Sequence, residues 1–201
     1  MRSTSIIRLG LAALATLFVA HAGPPLICHP YNIGPAKSLP WGSGQGWDTR
    51  DTSYNLANLA ADTLAILDSN APVLVRMETL RRAAIYGSDD HAAARALLAK
   101  LAERGKSANA TASSLFDYGY MASTLQQINW LYKEDLAGGV DGYQYVQNAL
   151  AIDPNSAEMH FAAAIIASYP LRAADRDSHL AKARAASKDA LLAQNVANHF
   201  R

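Results

Sequence analysis

The stretch ALAIDPNSAEMHFAAA, Ala149 to Ala164, decides the architecture. An apolar helix end runs into Asp153-Pro154-Asn155, and a second helix restarts at once with small residues along one face. Proline lacks the backbone N–H that a continuing helix needs and clashes with the preceding turn, so the first helix must stop here. Two helices joined this tightly fold back on each other as a hairpin. A chain built from such junctions is a scaffold of stacked helices, a type that more often binds than catalyses.

Working towards the N-terminus, helical periodicity begins at Asp51. Asp51-Thr52-Ser53 supplies cap residues ahead of Leu56, Leu59, Ala60, Thr63, Leu64 and Leu67, an i, i+3, i+4 stripe. Ser69-Asn70-Ala71-Pro72 breaks it, with proline suited to the first turn of the next helix. That helix carries Leu74, Met77, Leu80, Ala83 and Ala84 and stops near Gly87. Ser88-Asp89-Asp90 caps a third, with Ala94, Leu97, Leu98 and Leu101 facing inward and Gly105 at its end. The pattern predicts a fourth helix over Ala110 to Tyr132, a turn at Gly138-Gly139, two helices meeting at Pro154, and a seventh after Asp177-Ser178. No stretch alternates with period two, so no sheet is expected. Seven amphipathic helices with short breaks suit a stack of antiparallel hairpins, in which neighbours bury a continuous core that one pair cannot.

The first 50 residues differ. Arg2 and Arg8 precede or flank an apolar run from Leu9 to Ala20, and Ala20-His21-Ala22 places small residues at both recognition positions of a secretory leader, with cleavage expected before Gly23. The run is shorter than the ~20 apolar residues of a membrane-spanning helix. Export to the periplasm or the medium is therefore expected, with no stable membrane span after cleavage. Residues 23–50 hold Pro24, Pro25, Pro30, Pro35 and Pro40, then Gly42, Gly44 and Gly46. Prolines exclude a useful helix, which predicts an extended arm. Its Leu26, Ile27, Ile33, Leu39, Trp41 and Trp47 are too apolar for a solvated tail, so the arm is expected to dock on the single helical domain of residues 51–201.

Losing Arg2 and Arg8 with the leader takes the 18 basic residues to 16, against 17 acidic ones. A near-neutral surface gives no electrostatic case for nucleic acid or an anionic membrane. Cys28 is the only cysteine, so no internal disulfide is available in an oxidising compartment.

The Pro154 junction resembles that of the tetratricopeptide repeat. Ala149, Val146 and Gly142 occupy the small, bulky and small positions of that repeat's second helix, and Ala163 and Ala164 sit where the next first helix has leucine and glycine. His160 stands in place of the repeat's tryptophan and Ala167 of its tyrosine. The resemblance implies an all-α, tetratricopeptide-like stack and a protein or peptide partner. The segment PLICHPYNIGPAKSLPW, Pro25 to Trp41, is similar to the start of a group of exported bacterial proteins of unassigned function, which implies a shared arm and no activity.

Candidate chemistry is sparse. Cys28 and His29 are thiolate and imidazole donors, which metals or haem iron accept, so a periplasmic metal- or haem-binding protein is the alternative reading. Against it, adjacent residues rarely ligate one metal without strain, and no second cysteine supplies the spacing of a zinc or c-type haem site. No cofactor is otherwise expected. Asp89-Asp90-His91 and Asp175-Arg176-Asp177-Ser178-His179 read as helix caps, and His160 and His199 as packed or surface residues. Phe116, Tyr118, Tyr120, Trp130 and Tyr132 make the fourth helix aromatic, either as core or as a groove wall for peptide or glycan. With Lys37, Trp41 and Trp47 of the arm, Tyr120 and Trp130 are the candidate contact residues. No Ser/His/Asp set, carboxylate pair or dinucleotide fingerprint points to an enzyme.

Overall fold

Where the helical period runs through the sequence, the chain is helical, and no strand forms among the described residues. The computed structural model describes residues 25–44, 46–68, 70–169, 172–186 and 189–200; the leader expected over residues 1–22 and its cleavage point lie outside them. The helices are α1 (Leu59–Asp68), α2 (Val73–Gly87), α3 (His91–Gly105), α4 (Ala112–Gln127), α5 (Asn129–Tyr132), α6 (Gly142–Ile152), α7 (Ala157–Ala167), α8 (Ala173–Ala186) and α9 (Ala190–His199). None is long and apolar enough to cross a membrane.

The deciding junction folds as its residues require. The Asp153 N–H returns to the Ala149 carbonyl at 3.0 Å and closes α6. Ser156 opens α7, its hydroxyl accepting from the Met159 N–H at 3.3 Å, which satisfies one of the donors that a helix start leaves free. Gly138 and Gly139 both have positive φ, 59° and 72°, as the turn between α5 and α6 demands.

Three expectations are corrected. The first helix is capped by Asn55 and entered through a 3-10 turn at Leu56–Asn58, while Asp51 closes a local turn by accepting from the Ser53 N–H and hydroxyl. The fourth helix is two: α4 opens on a Thr111–Ser114 capping box and ends at Gln127, and α5 follows Ile128. No proline or glycine marks this break. Ile128 turns inward to full burial, and the Tyr132 hydroxyl reaches the Ala84 carbonyl of α2, so tertiary contacts set it. The seventh helix is also two, and α8 starts at Ala173. Asp175 therefore sits in its first turn, and Asp177, Ser178 and His179 lie inside the helix rather than capping it. Asp189 caps α9.

Neighbours in the chain pack on each other: α1 on α2, α2 on α3, α3 on α4, α4 on α6, α6 on α7, and α7 on α8. α2 and α4 also touch α7, so these three form the centre. α4 and α6 meet almost backbone to backbone. A Cβ at Gly119 would run into the Gly142 carbonyl oxygen, and one at Gly142 into the Gly119 carbonyl oxygen and Ser123 Oγ.

α2 is buried nearly all round, charged residues included, although its sequence reads as one-sided. The second face is covered by residues before α1. Leu26, Ile27, Tyr31 and Leu39 are buried within the core, and no helix forms between residues 25 and 55 where described.

Candidate functional site

Side chains from α2, α4 and α9 hold the N-terminal segment largely by its backbone. The Arg81 guanidinium donates to the carbonyls of Ile27 (3.3 Å) and Trp47 (2.9 Å), and Arg82 donates to that of Leu39 (2.5 Å). Glu78 accepts from the Tyr31 N–H at 3.0 Å and also from Arg81 and Arg82. Gln127 accepts from the Leu26 N–H at 2.9 Å. The Asn195 amide pairs with Asn32 in both directions, accepting from its N–H and donating to its carbonyl, each at 2.8 Å. Proline-rich chain cannot satisfy its own backbone groups in a helix, so these side chains satisfy them instead. Glu78 and Arg81 have fully buried side chains, and their charge-assisted bonds offset the desolvation of both ions.

The structure separates the residues singled out in the sequence. Tyr120 is buried and donates to the Tyr31 hydroxyl at 2.7 Å, which makes it a core contact to the segment. Burial holds both phenols well above their ordinary range. Trp41 is half-buried: Arg81 and Arg82 lie over its ring at 5.2 and 5.4 Å, and its Nε1 is buried with no hydrogen-bond partner. The deeper anchors are Leu26, Ile27, Tyr31 and Leu39, at 0–3 % exposure. Lys37 and His29 are exposed and Cys28 is half-buried. Burial pushes the Cys28 thiol up, against a smaller pull from Arg81, which disfavours the thiolate a metal would need. Among the described residues no three His, Cys, Asp or Glu side chains gather to hold a metal ion. Trp47 and Trp130 come together edge to face, ring centres 6.4 Å apart, with Trp130 56 % exposed.

A second feature was not singled out in the sequence. An open cleft of about 450 Å³ lies between α4, the turn before α6, α6 itself and the chain after α7. Its wall includes Gln126, Asp141, Tyr143, Tyr169 and Arg172. The Arg172 guanidinium lies over the Tyr143 ring at 4.8 Å and 3.6 Å from the Asp141 carboxylate. Gln126 is pinned by donating from Nε2 to the Val140 carbonyl at 2.6 Å. Ser123, also in the wall, is buried with an unpartnered Oγ.

Behind the cleft a line of hydrogen bonds has one possible direction when both histidines are neutral. The Pro154 carbonyl, 3.0 Å from His160 Nε2, only accepts, so Nε2 carries the proton. His160 Nδ1 then accepts from His179 Nδ1 at 2.8 Å, and His179 Nε2 accepts from the Tyr143 hydroxyl at 3.0 Å. Burial, reinforced by the neighbouring His160, lowers His179 to about 4, and burial lowers His160 as well, so both stay neutral at pH 7. Tyr143 thus spends its proton inward, and its oxygen accepts from the Gln147 side chain. The line ends on a carbonyl and has no outlet for a proton, so it orients Tyr143 and relays nothing.

In the sequence His160 reads as a packed or surface residue in place of the repeat's tryptophan. Its partner lies 19 positions on in another helix, beyond any local signal. Comparison of the chain with protein-family models, characterised proteins and solved structures finds no match, so these sites are read from their own geometry.

Proposed function

We propose that this chain is an exported, tetratricopeptide-like helical module that binds a protein or peptide partner through the Trp47–Trp130 surface. The observation that carries the reading is the exposure of Trp130 on an anchored support. α5 is one turn long, yet Tyr132 is buried and bonded to the Ala84 carbonyl, so the indole is presented with little freedom left to lose. A rigid, exposed aromatic beside a second indole is the type of residue that dominates protein interfaces. Packing of successive helices on their chain neighbours supports the stacked-hairpin part of the reading. The proline-rich segment, held along α2 by its backbone, supports an extended arm that closes the stack.

The test uses the full chain expressed with its leader, purified from the exported fraction and used as bait there. The expected results are a mature N-terminus at Gly23 and a partner retained by the wild type. Trp130→Ala should lose that partner at an unchanged melting temperature, because the side chain is mainly in water. A partner retained equally by Trp130→Ala would remove this surface from the proposal, and an intact Met1 in the cytoplasmic pool would remove export.

A further inference from the structure

We infer that the cleft between α4, α6 and the chain after α7 is a binding site for a neutral hexopyranose unit of a saccharide. This goes beyond the partner surface at Trp130 and stands or falls separately from it.

The cleft volume of about 450 Å³ lies in the range of small-molecule pockets. Its charged residues balance: Arg172 faces Asp141 across 3.6 Å, so neither an anion nor a cation finds an uncompensated partner. The hydrogen-bonding groups are of both kinds and held in place. Tyr143 adds a ring face beneath Arg172 and no free acceptor, since its hydroxyl donates to His179 Nε2 and accepts from the Gln147 side chain. Asp141 is an acceptor already turned by its bond from the Gln144 N–H. Gln126 gives one amide hydrogen to Val140 and keeps the other beside its Oε1 acceptor. Arg172 is a donor only.

A carboxylate ligand accepts without donating and would leave the Asp141 carboxylate and the Gln126 Oε1 facing an acceptor. An ammonium donates without accepting and would leave Arg172 unmatched. A hydroxyl does both, so adjacent hydroxyls on one ring can serve Arg172 and the acceptors together. The remaining wall element fits the same ligand. Tyr169 is 49 % exposed, a phenol ring left in water at the rim. The negative face of an aromatic ring attracts the C–H face of a pyranose, while the open cleft leaves room for the rest of a chain.

The experiment screens the labelled full chain against an array of α- and β-linked oligosaccharides of glucose, galactose, mannose and N-acetylhexosamines. Retained sugars are then titrated by calorimetry. A shallow site of this kind is expected to bind with a dissociation constant on the order of 0.1–1 mM. Tyr169→Ala and Arg172→Ala, both at exposed side chains, should each weaken binding about tenfold or more while leaving the circular dichroism and melting temperature unchanged. Trp130→Ala should bind the sugar as the wild type does. No retention anywhere on the array overturns the inference. So does retention that Tyr169→Ala and Arg172→Ala leave intact, or tighter binding of glutamate or glycylglycine than of any sugar.

Discussion

Gly119→Ala should destabilise this protein, although the same change in an uncrowded helix stabilises. Gly119 lies within α4, where alanine is favoured over glycine by about 1 kcal/mol. Against that gain, the new methyl would stand 2.5 Å from the Gly142 carbonyl oxygen, 2.7 Å from Tyr145 Cβ and 3.0 Å from the Val146 nitrogen. Two of the three are backbone atoms of α6 and the third is a Cβ fixed to it, so no flexible side chain can swing aside. The two helices must separate, and Gly142, Ser123 and Val146 lose contact together. Overpacking of this sort costs about 1–3 kcal/mol, and backbone obstruction places it at about the upper end. Net destabilisation is then roughly 2 kcal/mol. For a chain of this size that is a fall of about 4–8 °C in melting temperature. Urea denaturation followed by circular dichroism gives the free energy directly, and an unchanged m-value would show that the denatured state is unaltered. A melting temperature equal to or above the wild type would mean that α4 and α6 do not approach at Gly119 and Gly142, and the close-packed hairpin would be refuted.

Glu78→Ala strips the partner from the buried Arg81 and from the Tyr31 N–H, and should cost about 3–5 kcal/mol, read as a loss of the folded baseline in urea; a change under 1 kcal/mol would show the pair to be solvated. The His179 pKa is depressed below that of the unfolded chain, so its contribution to stability is whole above pH 6.5 and is lost as the pH falls towards 4. Imidazole NMR should find His179 in the Nδ1–H form, His160 in the Nε2–H form, and protonation of His179 near pH 4; titration of His179 at its ordinary value would refute the directed line behind Tyr143.

Much of the helical pattern is local chemistry and was readable without a structure. The pairing of α6 and α7 follows from Pro154, the turn at Gly138-Gly139 from glycine, and the start of α3 from Asp90, whose side chain accepts from the Ala93 N–H. The inward stripe of α3 was equally plain: Ala94, Leu97 and Leu101 are buried at the expected spacing. The break at Ile128 was not, since it carries no proline or glycine, and the burial of Ile128 and the bond from Tyr132 to Ala84 outweigh a weak helix propensity.

The candidate sites divide along the same line. Composition and proline content determined that the described residues of 25–50 form no helix and include side chains too apolar for solvent, because φ restriction and hydrophobicity belong to each residue wherever it lies. Which of those side chains sink was decided by the tertiary structure: Leu26, Ile27, Tyr31 and Leu39 fill the second face of α2, while Trp41 remains half-buried over two arginines. The burial of Glu78 and Arg81, the meeting of Trp47 with Trp130, and the line from Tyr143 through His179 to His160 all join residues far apart in the chain. A hydrogen bond acts over about 3 Å in space, whatever the separation in sequence, so only the packed helices could determine these contacts.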